Sequence, residues 1–505
     1  MKKSIHIYMI IILLALIQVA SLVHAQQPIK KSKQTETVNG IKFYIHTVEK
    51  GQTLYSISKA YGTTVNIIVA NNQEVLDGLK IGNKIKIPYI NNAVITTIPA
   101  TKEDKKSKIS AEKKSRKDSS AVTQKASLPI TTEPAITNEV IKPIGDIHVG
   151  LFLPLSLSSE ENLDLNNEKI NDETKIGIEF YEGFKLAFDS LKKNGFKGYI
   201  HVYDSDTDSI TLENLLRKSE VKDLDMIIGP LYGKRFDRIQ KFAKENNINI
   251  VSPTIQANHI LMGNTHVSKV TPSYITQSET LAKYIAEKFN GNNIIVFNSA
   301  NAKDRPYINS FKKAANEILT KLNLDTVKEM TFTTMPTFMS QTKANIIAIP
   351  STNQSFITEA INKLFLHKQE NLQQNTPDSI LIFGLSNWQD IESLDFGYLK
   401  TLYGTISSYS FIDYSNPKTK KFILNYRNLY KTEPTEYVYL GFDVGYYYLD
   451  GLQKYGNELQ RKLPKLHYKG IQTEFNFIQS DINSGYENTA VGIMKFNNYS
   501  YIRLK

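Results

Sequence analysis

Two kinds of apolar pattern alternate along the chain from residue 147 onward. Largely apolar runs such as HVGLFLPL at 148–155 and DMIIGP at 225–230 are typical of buried strands. Between them, apolar residues recur every three or four positions, as in the segment 177–194, which is the spacing of an amphipathic helix. This alternation predicts an α/β fold with mainly parallel sheets flanked by helices.

The alternation runs twice, which predicts two lobes. It restarts after Val270-Thr271-Pro272, and each half has the ordinary size of a folding unit. We expect one lobe from about 147–270 and 412–465, and the other from about 272–405 and 468–505. The tail from Gly470 is predicted to form antiparallel strands. Further strands are predicted at 199–204, 247–253, 292–299, 345–350 and 379–384, and further helices at 211–221, 236–246, 278–289, 307–322, 356–368, 418–431 and 435–456.

A separate small module stands in front. Between Tyr44 and Pro88, two short alternating segments flank two short helical ones, which predicts a βααβ unit. Eight apolar residues would fill its small core: Leu54, Ile57, Ala60, Val65, Ile67, Ile68, Leu79 and Ile81. Residues 91–145 are rich in Lys, Ser, Thr and Pro and have no sustained apolar period, so they are predicted to be a disordered basic linker.

The first 25 residues have the pattern of an export signal. Lys2 and Lys3 precede an apolar run from Ile7 to Ile17, and Val23-His24-Ala25 is a small-residue cleavage site. A retained membrane anchor is the alternative, but polar residues interrupt the run well before the length of a membrane span. We therefore expect a chain exported to the periplasm or cell envelope, with no transmembrane span after cleavage.

Charge and cysteine content narrow the classes of function. The net charge is +11, but residues 146–505 carry equal numbers of basic and acidic side chains, so the excess lies in residues 1–145, mostly in the front module and linker. Together with the export signal, this makes nucleic acid an improbable partner. The chain has no cysteine, which excludes disulfides, a thiolate metal site and a cysteine nucleophile.

The front module, YIHTVEKGQTLYSISKAYGTTVNIIVANNQEVLDGLKIGNKIKIP, resembles a LysM domain; we take this domain as residues 43–89. The resemblance implies binding of glycans that contain N-acetylglucosamine, above all peptidoglycan, in a shallow groove between two loops. It places the contacts at Gly51, Gln52, Thr53, Leu54, Lys80, Ile81 and Gly82. Gln52 stands where many members have Asp, and an inert spacer is the alternative.

The large domain, residues 147–505, resembles the type I periplasmic binding proteins, which include branched-chain amino-acid binders and penicillin-binding-protein activators. The resemblance is carried by HVGLFLPLS, IGIEFYEGFKLAFDSL, DMIIGPLYGKRFDRIQKFAKENNINIVSPT and YKTEPTEYVYLGFDVGYYYLDGL. It implies two lobes that close around a ligand at the carboxyl ends of the strands. Tyr232, Ser252, Thr254 and Tyr307 are the expected ligand contacts.

One departure from that family concerns the loop after Gly229-Pro230. Amino-acid binders usually place a small hydroxyl residue there to hold a carboxylate, whereas this chain continues Leu231-Tyr232-Gly233-Lys234-Arg235. The two cations could hold an anion, or they could simply be the solvated start of a helix.

No pattern in the sequence predicts catalysis. Asp204, Asp206 and Asp208 are spaced like the start of a calcium loop, but Ser209 replaces the glycine and Leu215 the bidentate glutamate that such a loop requires. No histidine spacing or nucleotide-binding loop supports a metal or cofactor. We therefore expect a binding protein rather than an enzyme.

Three functions remain open at this point. The first is a peptidoglycan-anchored protein that binds a small polar ligand such as an amino acid or wall fragment. The second is a ligand-free scaffold or activator of peptidoglycan-synthesis enzymes. The third is the substrate-binding protein of an ABC-type amino-acid transporter, for which a wall tether is poorly suited.

Overall fold

The computed structural model describes residues 29–88 and 146–504, except for 39–40, 50–51, 53, 62, 64–67, 69–70, 73–74, 76–78, 158–170, 207, 255–256, 374–378 and 498–499. The predicted signal at 1–25 and the predicted linker at 91–145 lie outside the described residues, as do Gly51 and Thr53 of the predicted glycan groove.

The front module is a small antiparallel sheet with a helix. Strands β1 (Thr35–Val38), β2 (Ile41–Thr47) and β3 (Lys84–Pro88) pair in that order, and helix α1 covers Leu54–Tyr61. The second predicted helix falls largely on residues outside the description. β1 was not predicted, because TETV is polar and lies in front of the segment that carries the LysM pattern.

A buried asparagine ties the middle of this module to β3. The Asn72 Nδ2 atom donates to the carbonyl oxygens of Ile68 (2.6 Å) and Lys86 (2.7 Å), and its Oδ1 accepts from the Lys86 N–H at 2.6 Å. Asn72 thus pairs with β3 as a neighbouring strand would, and it lies above a core that includes Ile57, Ile85 and Ile87.

The large domain contains two seven-stranded sheets. In chain order its strands are β4 (Ile147–Leu153), β5 (Gly198–Asp204), β6 (Met226–Ile228), β7 (Asn249–Ser252), β8 (Val267–Lys269), β9 (Asn293–Phe297), β10 (Lys328–Met330), β11 (Asn345–Ile349), β12 (Ile380–Gly384), β13 (Thr405–Ser408), β14 (Tyr468–Lys469), β15 (Glu474–Phe475), β16 (Phe477–Gln479), β17 (Tyr486–Asn488), β18 (Gly492–Asn497) and β19 (Ser500–Arg503).

Helices flank both sheets. They are α2 (Asp172–Lys193), α3 (Ser209–Leu216), α4 (Ser219–Lys222), α5 (Gly233–Glu245), α6 (Tyr274–Lys288), α7 (Arg305–Lys321), α8 (Met335–Phe338), α9 (Gln354–Gln373), α10 (Phe396–Thr401), α11 (Pro417–Tyr430), α12 (Glu436–Tyr455) and α13 (Leu459–Lys462). Among the described residues, none of these helices is both long and apolar enough to span a membrane.

The two sheets define the two lobes. The first sheet has the order β16-β17-β8-β7-β6-β4-β5, and the second has the order β10-β9-β11-β12-β13-β18-β19. The central strands of each are parallel, which confirms the predicted α/β class. The assignment of all of 468–505 to the second lobe is wrong for β16 and β17, because both strands extend the first sheet through the parallel pairing of β17 with β8.

A close helix pair joins the start of the first lobe to its C-terminal part. Phe180 and Phe184 of α2 are fully buried and share a core with α12. The backbones nearly touch at two glycines: a Cβ atom on Gly183 would lie 1.9 Å from the Val438 carbonyl oxygen, and one on Gly441 would lie 2.1 Å from that of Phe180. Only residues without a side chain allow this approach.

Polar groups fix the segments that cross between the lobes. Lys269, at the end of β8, is fully buried, and its Nζ lies 3.0 Å from the Glu487 Oε1 on β17. The same Glu487 oxygen accepts from the Ser273 N–H (2.8 Å) and the Thr276 hydroxyl (3.0 Å) at the start of α6 in the second lobe. Glu487 therefore holds the first crossing in place.

A second anchor lies on α12. The buried Asp443 carboxylate accepts three backbone N–H groups, from Ile471, Gln472 and Thr473, each at 2.8 Å. Burial raises the pKa of Asp443 to about 6, and these three donors oppose the rise. The loop they fix contacts the second crossing, since the Phe411 N–H donates to the Gln472 carbonyl oxygen at 3.1 Å.

Candidate functional site

The two loops of the predicted glycan groove lie side by side. The Val48 N–H donates to the Asn83 carbonyl oxygen (2.9 Å), and the Gly82 N–H donates to the Val48 carbonyl oxygen (2.8 Å). Lys80 to Asn83 form a turn closed by an Asn83 N–H to Lys80 carbonyl bond of 3.0 Å. Gly82, third in that turn, has φ +88°, a conformation that favours glycine.

The predicted groove residues differ in what they present. Ile81 is 68% exposed at the tip of the turn, and Lys80 is also exposed, so both side chains face solvent. Leu54 is buried in the core of the module. The Gln52 Oε1 atom lies 2.8 Å from the His46 Nε2 and accepts from the Glu49 N–H at 3.0 Å.

In the large domain, two predicted contacts are used inside their own loops. Ser252 is fully buried, and its hydroxyl donates to the Thr254 carbonyl oxygen at 3.4 Å. The Thr254 hydroxyl donates to the Leu231 carbonyl oxygen, which fastens the loop after β7 to the loop after β6. Of the predicted cationic pair, Arg235 donates to the Ser209 hydroxyl at 3.4 Å, at the start of α3.

The other two predicted contacts are half-buried tyrosines. Tyr232 immediately precedes α5, and burial together with Glu173 and Asp172 raises its pKa to about 12. The ring of Tyr307 lies 5.8 Å from that of Tyr274, centroid to centroid. Burial raises the pKa of Tyr307 as well. These two tyrosines belong to different lobes, and both have electrostatic neighbours in the set described next.

Five polar side chains that the sequence did not single out come from elements of both lobes and influence one another electrostatically; we call them the cleft set. Glu436 and Tyr437 begin α12 of the first lobe, Tyr274 begins α6, Asp390 follows β12, and Tyr409 follows β13. Within the described ranges, none of these five side chains makes a hydrogen bond or an ion pair.

Electrostatic interactions connect the members of the cleft set. Burial raises the pKa of Glu436, and the carboxylates of Asp390 and Glu179 raise it further. Glu436, Tyr274, Asp390 and Tyr437 in turn add to the effect of burial on the pKa of the Tyr409 hydroxyl, which lies far above its ordinary value. The groups that act most strongly within this set are carboxylates and phenols.

The exposure and the raised pKa values of Asp390 and Glu436 together indicate a partly enclosed surface. Asp390 and Glu436 are exposed to water, yet burial among protein atoms is the first cause of their raised pKa values. A side chain that water reaches but protein surrounds lines a concavity between elements. The sequence could have pointed to Glu436 and Tyr437, because TEYVY begins a helix that is part of the resemblance to the type I periplasmic binding proteins. Asp390 and Tyr409 follow the ends of β12 and β13, where other polar residues surround them in the sequence, so nothing there distinguishes them.

The acidic turn after β5 has a structural role. The Asp204 carboxylate accepts from the N–H groups of Leu155 (3.0 Å), Leu157 (2.7 Å) and Asp206 (2.9 Å). Among the residues that the structure describes, no cluster of histidine or carboxylate side chains could hold a metal ion.

A cavity of about 480 Å³ lies beside the β14–β15 hairpin, and it shares Glu474, Ala490 and Arg503 with a smaller pocket that Tyr409 also lines. The β14–β15 hairpin, residues 489–491 and Arg503 line the larger cavity. Its principal charges already neutralise each other, since the Arg503 Nη2 lies 2.6 Å from the Glu474 Oε2. We therefore regard the cleft set, whose groups lack partners, as the candidate ligand site.

The large domain is a two-lobed binding protein, in which segments of chain cross between two lobes built from sheets and helices. A small sheet module precedes it. Comparison with protein families agrees: residues 174–484 match the periplasmic binding proteins, and residues 46–88 match the LysM domain. The chain belongs to the periplasmic binding protein family and carries a LysM domain, which confirms the recognition of both parts. The comparison with curated proteins returned no match.

A solved structure has a similar fold. A protein from Rhodospirillum rubrum assigned to branched-chain amino-acid ABC transport is 13% identical, with 71% of this chain and 100% of that chain covered and a TM-score of 0.52. An ABC transporter substrate-binding protein from Desulfitobacterium hafniense, in complex with Leu, is 16% identical over 71% and 100%, with a TM-score of 0.47.

The C-domain of LpoA from Haemophilus influenzae, described as a regulator of PBP1A, is 14% identical over 71% and 100%, with a TM-score of 0.47. At 13% identity the similarity to the Rhodospirillum rubrum protein concerns the fold alone.

Proposed function

We propose that this protein is anchored to peptidoglycan in the cell envelope through its LysM domain and binds a small polar ligand between the two lobes of its large domain. The observation that carries the proposal is the cleft set: Asp390 follows a strand of one lobe, Glu436 begins a helix of the other, and neither carboxylate has a hydrogen-bond or ion-pair partner in the described part of the chain. Both carboxylates are exposed, so their oxygens are accessible to hydrogen-bond donors of a ligand.

The LysM part of the proposal rests on the turn that displays Ile81. An exposed apolar side chain beside backbone groups suits the face of a sugar ring, and one such groove offers few contacts, so binding by a single module would be weak. Anchoring fits a local sensor better than a transport shuttle. The export signal at 1–25 and the linker at 91–145 remain predictions that this function requires.

Two measurements on the full chain without residues 1–25 test the proposal. Thermal-shift screening with amino acids and soluble wall fragments should reveal a ligand that raises the melting temperature by mass action. Sedimentation with purified peptidoglycan should retain the protein, and Ile81→Ser should weaken retention while Lys33→Ala, an exposed residue outside the groove, should not.

The outcomes separate the open functions. Retention on peptidoglycan with no thermal shift from any ligand would favour the scaffold or activator of wall-synthesis enzymes, which cross-linking in envelopes would then have to capture. Equal sedimentation of a chain lacking residues 29–88 would contradict the anchoring role of the LysM domain.

A further inference from the structure

A chain of hydrogen bonds crosses the LysM domain and ends at Gln52, one of the predicted glycan contacts. The Ser32 N–H donates to the Tyr61 Oη atom at 2.6 Å. The Tyr61 Oη lies 2.9 Å from the His46 Nδ1, and the His46 Nε2 lies 2.8 Å from the Gln52 Oε1. Because the His46 and Tyr61 side chains are buried, their polar atoms bond to one another instead of to water. We call these four residues the Tyr61 relay.

A backbone N–H at each end fixes the direction of every bond in the Tyr61 relay. The Gln52 atom that faces His46 also accepts from the Glu49 N–H at 3.0 Å, so it is the amide oxygen. An oxygen can only accept here, and the His46 Nε2 therefore carries a proton and donates it. In the neutral ring Nδ1 is then the acceptor, and it takes the proton of the Tyr61 hydroxyl. The Tyr61 oxygen accepts in turn from Ser32.

The Tyr61 relay determines which end of the Gln52 amide is available to a ligand. The amide oxygen already accepts from two donors inside the module, the His46 ring and the Glu49 N–H. The amide nitrogen makes one long contact, 3.4 Å to the Glu49 Oε2, and its second N–H has no partner in the described part of the chain. Gln52 therefore offers a ligand a hydrogen-bond donor, while its acceptor is engaged.

The Tyr61 relay begins outside the residues that match the LysM domain. The match covers residues 46–88, whereas Ser32 and strand β1 precede it. β1 pairs antiparallel with β2, and the half-buried Ile29 packs against the core of the module. The segment in front of the matched residues is thus built into the module, and it holds the first donor of the relay.

Resting on the function proposed above, we infer that the Tyr61 relay positions Gln52 so that its side-chain N–H donates to an oxygen atom of the bound glycan. Ser32, Tyr61 and His46 are positioning residues, since they act only through Gln52. Many LysM domains have Asp at the position of Gln52, and a carboxylate presents acceptors only. Gln52 reverses the hydrogen-bonding character of this position, and the relay keeps the amide in one orientation.

Calorimetry with a pentamer of N-acetylglucosamine, on the chain without residues 1–25, tests the donor role of Gln52. Gln52→Glu keeps the oxygen that accepts from His46 but removes the N–H donors. It should weaken binding roughly two- to tenfold, the worth of one hydrogen bond. Gln34→Glu is the matched control, because it adds the same charge at an exposed residue just before β1, and it should leave the affinity unchanged.

The tautomer of His46 tests the positioning role. NMR of the ring nitrogens in histidine-labelled protein shows which of them carries the proton, and His46→Gln identifies the signals. We expect the proton on Nε2 in the parent chain. Tyr61→Phe removes the hydroxyl that donates to Nδ1, so the proton should move toward Nδ1, and pentamer binding should weaken roughly two- to tenfold as the Gln52 amide loses its fixed orientation. A purely structural role of the Tyr61 hydroxyl would change the melting temperature but not the tautomer.

Several results would overturn the inference. They are a His46 proton on Nδ1 in the parent chain, undiminished pentamer binding by Gln52→Glu, and a Tyr61→Phe variant that leaves either the tautomer or the affinity unchanged. A parent chain that is retained on peptidoglycan but does not bind the pentamer would also overturn the inference, and in all these cases the proposed anchoring would stand. A parent chain that binds neither would defeat both the inference and the proposed anchoring.

Discussion

Removing the negative charge from Glu487 should strongly destabilise the large domain. In Glu487→Gln the buried Lys269 loses the carboxylate that lies 3.0 Å from its Nζ. The Asn258 Oδ1 atom still accepts a hydrogen bond from this Nζ. Breaking a buried ion pair from one side costs about 3–5 kcal/mol, because an uncompensated charge stays in the interior. The Ser273 N–H would also bond to a neutral instead of a charged oxygen.

The double variant separates this penalty from simple loss of a contact. Lys269→Met with Glu487→Gln leaves no buried charge, so it should cost less than Glu487→Gln alone, with a coupling energy of about 2–4 kcal/mol. An exposed pair in the same lobe provides the control: Lys241 and Glu245 on α5 are 4.0 Å apart with side chains 73% and 55% exposed. Their coupling should stay below about 1 kcal/mol.

The pH dependence has a definite sign. Burial lowers the pKa of Lys269 and Glu487 opposes that effect, so Glu487→Gln lowers this pKa further. The unfolded chain then binds more protons than the folded one between the lowered pKa and about 10.4, and stability rises with pH across that window. The free energy of unfolding of Glu487→Gln, from urea titrations, should therefore increase relative to the parent chain from pH 7 toward pH 10.

Urea titrations at pH 7 and pH 9.5 decide the matter. A Glu487→Gln variant within about 1 kcal/mol of the parent chain, or a difference that does not shrink at high pH, would show that the Lys269 charge is not buried as the structure has it.

Other substitutions probe other joints of the molecule. Gly183→Ala should cost about 1–3 kcal/mol or more, because the new methyl group would meet the Val438 carbonyl oxygen at 1.9 Å, and an unchanged melting temperature would contradict this helix contact. Asn72→Ala removes three hydrogen bonds and should destabilise the LysM domain by about 2–4 kcal/mol. Hydrogen exchange should show this as loss of amide protection in the domain, and protection equal to that of the parent chain would refute the role assigned to Asn72. Asp443→Ala leaves three N–H groups without their acceptor and should lower the free energy of unfolding by about 3 kcal/mol or more, measured by thermal unfolding. The control Asp450→Ala removes an accessible carboxylate on the same helix and should change stability by less than about 1 kcal/mol. Equal effects of the two substitutions would be inconsistent with the buried anchor.

The sequence predicted those strands whose burial is purely apolar. β4 and β6 are continuous apolar runs in the sequence and fully enclosed in the sheet, apart from one residue of β4. β8 was missed because its sequence is VSK, although all three residues are buried. Ser268 accepts from the Tyr448 hydroxyl at 2.8 Å and Lys269 pairs with Glu487, so partners more than 170 residues away make burial possible.

The same limit applies to the candidate site. Tyr232 was expected near the cleft because it follows the strand that ends at Gly229-Pro230, and Tyr307 because the family resemblance implies an aromatic contact from the second lobe. Asp390 and Glu436 could not be paired from the sequence, since nothing local shows that 46 positions along the chain are bridged across two lobes. Which polar side chains lack partners is a property of the folded arrangement, not of composition.

The first lobe is assembled from distant stretches of chain, and this has a consequence for biogenesis. β17 pairs with β8 in the first sheet, and α12 packs on α2. The lobe therefore cannot be completed until almost the whole polypeptide has been synthesised. Such long-range closure is slow relative to local helix formation. We expect a nascent chain to hold an uncovered Phe180–Phe184 surface and an open strand edge for most of translation, which are features that holding chaperones bind. Premature stop codons upstream of Tyr486 should yield material that is degraded rather than a working single lobe.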